Sequence, residues 1–146
     1  MTRTFALLFA GLLLTGLIPP RLDAIEDPNL RRLTSGPIGI TRFDTIRVNA
    51  QCSEGAPGPC VVDFMVEDPN ERVLKHATMT LLPGHSDYLD LSAGEVLSMF
   101  RDQMRIEVVP VLRFTRGTRV MGNVEEFDTA SGRNFAVVVM VEDPNL

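Results

Sequence analysis

Tryptophan is missing from the 146-residue chain, tyrosine occurs once, and there are only two cysteines and two histidines. So few aromatic rings give no platform for stacking sugars, and Tyr88 and Phe100 read as core or rim packing, or as contacts for a partner protein. Positive charge is also short, with 14 Lys+Arg against 19 Asp+Glu and a formal net charge of −5. The doublet Arg31-Arg32 stands alone, and Arg113, Arg116 and Arg119 are separated by Phe114, Gly117 and Thr118. A phosphate backbone is held by a continuous basic patch, so nucleic acid is excluded as a partner. No apolar run reaches the roughly 20 residues of a membrane-spanning helix.

The longest such run, Phe5 to Ile18, follows the positive segment Met1-Thr2-Arg3-Thr4 and ends at Pro19-Pro20. Charge, short apolar stretch and breaker in that order predict a secretory signal helix over residues 1–24. Leu22-Asp23-Ala24 supplies a small residue only at its last position, and an uncleaved leader would be the chain's one contact with a membrane. A buried helix without a polar face would need covering on all sides, which a domain this small cannot provide. Removing the leader takes away Arg3, Arg21 and Asp23 and makes the chain one unit more negative. What remains is one domain's worth of chain.

Export gives the cysteines a meaning. Cys52 and Cys60 flank Ser53-Glu54-Gly55-Ala56-Pro57-Gly58-Pro59, a Gly/Pro loop between apolar stretches. An oxidising compartment keeps a bridge across such a loop, whereas the spacing matches neither a zinc nor a redox motif. The expected bond is Cys52–Cys60.

Residues 25–36 are polar and contain proline, and read as a flexible N-terminal arm, with the ordered domain at 37–146. Ile46, Val48, Ala50 and Cys52 alternate with Thr45, Arg47, Asn49 and Gln51, the period of a strand with one wet face. Val62, Phe64 and Val66 repeat the pattern before the turn Glu67-Asp68-Pro69-Asn70. Val73, Ala77, Met79 and Leu81 share the face of a returning strand, and after Pro83-Gly84 so do Leu89 and Leu91. Ser92 with Glu95 has the capping-box form, and Val96, Leu97, Phe100 and Met104 follow at helical spacing, giving one short helix. Arg105 to Phe114 is β-branched but holds Pro110, which predicts an edge strand or a bulge. Val120 to Phe127 precedes the hairpin loop Asp128-Thr129-Ala130-Ser131-Gly132-Arg133. The last strand has Phe135, Val137, Val139 and Val141 on one face and Ala136, Val138 and Met140 on the other, both apolar. Seven to eight such strands make an all-β chain, a single antiparallel sandwich with one short helix.

Met-Val-Glu-Asp-Pro-Asn occurs at 65–70 and at 140–145, and Ile25 to Leu30 repeats its tail. The flanks share only strand character, so the repeat reads as one strand-into-turn solution used more than once. A calcium loop needs more converging oxygens than Glu67, Asp68 and Asn70 provide. The turn is therefore expected to be solvated.

Nothing in the chain reads as catalytic. His85-Ser86-Asp87 are neighbours that point to alternate faces of a strand and cannot form a triad. Glu125-Glu126 and the pair Asp87 and Asp90 read as surface charges. No motif implies a cofactor or a metal, and no catalytic residue is assigned.

Gly36-Pro37-Ile38-Gly39-Ile40-Thr41, Leu82-Pro83-Gly84-His85-Ser86 with Leu89-Asp90-Leu91, Glu107-Val108-Val109-Pro110-Val111, and Glu126-Phe127-Asp128 through Gly132 together resemble a group of small exported bacterial proteins of unassigned function. The similarity spans roughly residues 34–139, and the helical stretch around Ala93 to Met104 departs from it. The resemblance implies an extracytoplasmic, periplasmic or secreted location and an immunoglobulin-like sandwich, and carries no active site with it. The expectation is a non-enzymatic exported module that binds another envelope or secreted protein, with the apolar last strand as an edge open to pairing. A periplasmic small-ligand or metal carrier using His76, His85 and nearby acids is the alternative.

Overall fold

The computed structural model describes residues 27–96 and 104–142. The expected leader at 1–24, Phe100 and most of the expected helix lie outside them. No helix among the described residues is long and apolar enough to cross a membrane.

In chain order the elements are β1 (Leu30–Thr34), β2 (Ile38–Thr41), β3 (Asp44–Cys52), β4 (Cys60–Glu67), β5 (Val73–Leu81), β6 (Ser86–Ser92), α1 (Ala93–Val96), β7 (Arg105–Thr115), β8 (Val120–Asp128), β9 (Asn134–Val139) and β10 (Val141–Glu142). One sheet runs β10-β1-β7-β4-β5, with β2 also paired to β7, and the other runs β6-β3-β8-β9. Every pairing is antiparallel. The two sheets pack as a sandwich, and the alternation along each strand supplies the filling: Ile46, Val48, Leu91 and Val124 from one sheet meet Phe64, Val66, Val108 and Leu112 from the other.

Two expectations are corrected along β7. Residues 25–36 do not form only an arm, because Leu30–Thr34 is β1, registered on β7 from Leu30↔Thr115 to Thr34↔Val111. At 11 residues, β7 is long enough for β1 and β2 to lie end to end along it, joined by Ser35-Gly36-Pro37 with Gly36 at φ 75°. The polar look of the segment comes from Arg31 and Arg32, whose charges are met by Glu142 and Glu67. Nor is β7 an edge strand: it lies between β4 and the β1–β2 pair. Pro110 is tolerated there because its place on β7 falls between the Thr34↔Val111 and Ile38↔Val108 pairs, where the neighbouring strand is broken anyway.

The capping box is present in half: the Glu95 carboxylate accepts the Ser92 N–H at 3.1 Å and also holds Lys75 Nζ at 2.7 Å. At the opposite end of β6 the cysteines are joined, Cys52 at the end of β3 and Cys60 at the start of β4. Since β3 and β4 belong to different sheets, the disulfide staples the sandwich across its layers.

Close approach of the layers also fixes one glycine. A β-carbon on Gly122 would fall 2.5 Å from Leu112 Cδ1 and 3.0 Å from Met140 Sδ, inside a core with no slack. Gly122→Ala is expected to lower the unfolding free energy by about 1–3 kcal/mol, while Gly58→Ala, which meets nothing within 4 Å, leaves it unchanged. Joint replacement of Cys52 and Cys60 by alanine is expected to cost about 2–3 kcal/mol through freedom returned to the unfolded chain. Urea denaturation of the three variants checks both statements.

Candidate functional site

The outer face of the β6-β3-β8-β9 sheet is a grid set by register. Tyr88, Asn49, Asn123 and Val139 form one row across the four strands, and Asp90, Arg47, Glu125 and Val137 form the next. Gln51 and Met121 lie beyond the first row, and Thr45 and Phe127 beyond the second.

The middle of this grid is polar and closed on itself. Arg47 donates from Nε and Nη2 to the two Asp90 oxygens, each at 2.7 Å. Its guanidinium lies 4.0 Å from the Tyr88 ring centroid and 5.3 Å from that of Phe127, so two π faces hold it flat on the sheet. The hydrogen bond to Asp90 raises the Arg47 pKa further. Beside it Asn49 Nδ2 donates to Asn123 Oδ1 at 2.8 Å and to Glu125 Oε1 at 3.0 Å. These side chains direct their hydrogen bonds at one another.

Strand β9 differs. Phe135, Val137 and Val139 are 57%, 60% and 71% exposed, and Met121 on the adjoining strand is 57% exposed. The sequence made both faces of β9 apolar, and the register with β8 decides between them. Val124 faces the core, so its partner Val138 does too, and alternation turns Val137 and Val139 outward. Gly122 opposite Met140 opens the space that Met140 occupies inside. Among the described residues β9 pairs only with β8, leaving its other side an open edge. From Asn134 to Val139 it carries neither charge nor proline, two of the usual guards of an edge. Its one irregularity lies between the Glu126↔Ala136 and Phe127↔Asn134 pairs, where Phe135 has no partner of its own.

Two further features are candidates. A cleft of about 310 Å³ opens beside β1, β10 and the start of β8, with Leu33, Phe114 and Met121 below and Arg119 and the ion-paired Arg31 and Glu142 around it. The other is an ion cluster in the first sheet. Arg32 Nη2 donates to Glu67 Oε2 at 2.8 Å, and Arg113 Nη2 lies 3.6 Å from Oε1. Burial pushes the Glu67 carboxyl above the usual range, outweighing the two arginines that pull it down.

The turn after β4 is therefore not the solvated one expected, since Glu67 and Asp68 are both buried. Asp68 Oδ1 accepts the backbone N–H groups of Asn70 and Arg72, each at 2.9 Å. Asp27 does the same for Asn29 at 2.9 Å, and both turns close with a backbone bond, Leu30 N–H to Asp27 O at 2.8 Å and Glu71 N–H to Asp68 O at 2.9 Å. Two of the three repeated segments thus build one and the same turn. Their carboxylates serve backbone donors and arginines, and no group of three or more metal-ligating side chains occurs among the described residues.

The remaining candidates are dispersed. His76 Nε2 lies 3.7 Å from Asp63 Oδ1 on the first sheet, while the His85 ring sits against Pro83 O in the turn before β6. Ser86 is opposite Gln51, and Asp87 accepts the Tyr88 N–H, so His85, Ser86 and Asp87 share no hydrogen bond. Glu125 faces outward beside Asn49, whereas Glu126 is half-buried near Asp44, which with burial raises its pKa. Sequence reasoning placed Arg47 on a wet face but missed its clamp, because register alone brings Asp90, Tyr88 and Phe127 around it. It missed the Glu67 cluster for the same reason.

No model of a known protein family matches the chain, and no curated protein is significantly similar to it.

The Glu67 burial has a measurable consequence. A carboxyl that binds its proton more tightly in the folded state holds it between the unfolded pKa, about 4.3, and its own raised value. Its contribution to stability falls as pH rises through that interval. Glu95 and Asp128, whose pKa values are lowered by hydrogen bonds from Lys75 and Ser131, act oppositely and lose stability as pH falls. Those groups are common to wild type and Glu67→Gln, so the difference between the two stability profiles isolates Glu67. As pH rises from about 4.3 through the raised Glu67 pKa the wild type is expected to lose stability relative to the variant, whereas parallel profiles would show that the arginines cancel the effect of burial and a relative gain that they outweigh it.

Proposed function

We propose that the chain is an exported, non-enzymatic, immunoglobulin-like β-sandwich module that binds protein in the envelope or outside the cell by adding a strand to β9. The observation that carries this reading is the exposed row Phe135, Val137 and Val139 on a sheet edge that is unpaired among the described residues. Strand addition draws its affinity from main-chain hydrogen bonds and its selectivity from alternate side chains, and β9 offers both. The polar clamp around Arg47 keeps the strands beneath that edge in register. Export is supported by the leader pattern of residues 1–24 and by the Cys52–Cys60 bond, which an oxidising compartment preserves.

A photo-crosslinking amino acid at Val139, in the full chain within the producing cell, is expected to trap a polypeptide. The same group at Thr80, exposed on the outer face of β5, is expected to trap none. Absence of an adduct at Val139, or equal adducts at both positions, would refute the reading. Val137→Lys is expected to abolish the adduct while changing stability by no more than about 0.5 kcal/mol, since its side chain is solvated.

A further inference from the structure

We infer that the cleft beside β1, β10 and the start of β8 is a second binding site, one for a small aliphatic carboxylate: a short hydrocarbon chain with a single anionic head. None of the described residues that line it belongs to β9, so the site is separate from the strand-pairing edge.

Register places charge where a sandwich ordinarily has none. Arg31 is paired with Phe114 and Leu33 with Leu112, and Leu33 is paired on its other side with Glu142. Cross-strand partners share a face of their sheet. Phe114 and Leu112 belong to the core, so Arg31, Leu33 and Glu142 all lie on the inner face of the first sheet. Inner faces are filled by apolar side chains wherever the two layers meet. Here the side chains of Arg31 and Glu142 are 41% and 54% exposed, which marks the place where the layers part. The opening, about 310 Å³, is at the small end of the range for ligand sites.

Leu33 and Val120 pack against the core and Phe114 is part of it, so the apolar side of the cleft is the end of the core itself. A hydrocarbon chain laid there leaves water and extends that core. The polar side carries two guanidinium groups, of Arg31 and Arg119, against the one carboxylate of Glu142, a positive balance on a chain of net charge −5. Among the described residues Arg119 has no ion-pair partner. Its backbone is held in place, because its carbonyl accepts the Ser53 N–H at 2.8 Å from the loop between the cysteines. Arg31 is only partly used: Nη1 meets Glu142 at 3.0 Å, while Nε is buried without a hydrogen-bond partner. A half-exposed ion pair is weak and a buried unpaired donor is costly, so Arg31 gains by turning to a second acceptor. A carboxylate offers two oxygens to such a fork. A doubly charged head would set its second charge against Glu142, which favours a monoanion.

Isothermal titration of the purified full chain with octanoate is expected to show one site per chain. Octanol and acetate each lack one half of the contact and should bind at least about tenfold more weakly. Arg119→Gln should weaken octanoate by at least about tenfold. Glu142→Gln, which frees Arg31 and removes the repelling carboxylate, should tighten it several-fold, a gain that damage to the fold would not produce. Arg133→Gln, outside the cleft, should leave the affinity unchanged. No uptake of octanoate by the intact chain, or an affinity indifferent to either cleft substitution, overturns the inference. Octanol bound as tightly as octanoate overturns it by reducing the cleft to an apolar patch. N-acetyl-leucine bound more tightly than octanoate overturns it by giving the cleft to the C-terminus of a polypeptide.

Discussion

The architecture depends on the length of β7. Its 11 residues pair with β4 along one side and with two shorter strands in succession along the other. A strand of average length could hold one of them only. Because β7 holds both, the chain can break between β1 and β2, Pro110 can sit in the middle of a sheet, and β1 remains available to receive β10. The cluster of Glu67 with Arg32 and Arg113 lies across the same three strands, β4, β1 and β7, and fixes their relative positions with directional bonds where apolar contact alone would permit sliding.

The second sheet is governed by a different constraint, the choice of which face of β9 goes inside. Gly122 and Val124 make that choice from the neighbouring strand, one by leaving room for Met140 and the other by drawing Val138 under. The outcome leaves Phe135, Val137 and Val139 in water and turns Ala136 and Val138, both half-buried, inward. Three apolar side chains on one edge strand are thereby left outside the core.

Much of this could be read before any coordinates. The inward residues of β3, β4 and β6 follow from period-two alternation, and Ile46, Val48, Phe64, Val66 and Leu91 are buried as the alternation requires. The Cys52–Cys60 bond followed from the loop between the two cysteines and the argument for export. What alternation cannot show is which strands are neighbours. That is why β1 looked like an arm, why Pro110 suggested an edge, and why Glu67 and Asp68 seemed solvated although arginines and backbone donors distant in sequence enclose them. It is also why β9, apolar on both faces, gave no sign of which face would be left out.

The pairing of β10 with β1 joins Leu33 to Glu142 and Thr34 to Val141, almost the whole span of the described chain apart. Contacts this remote are formed late and slow the search for the native state. The first strand of the domain must therefore wait for the last one to emerge before its sheet edge is complete. Until it does, β1 is held along one side only, by β7.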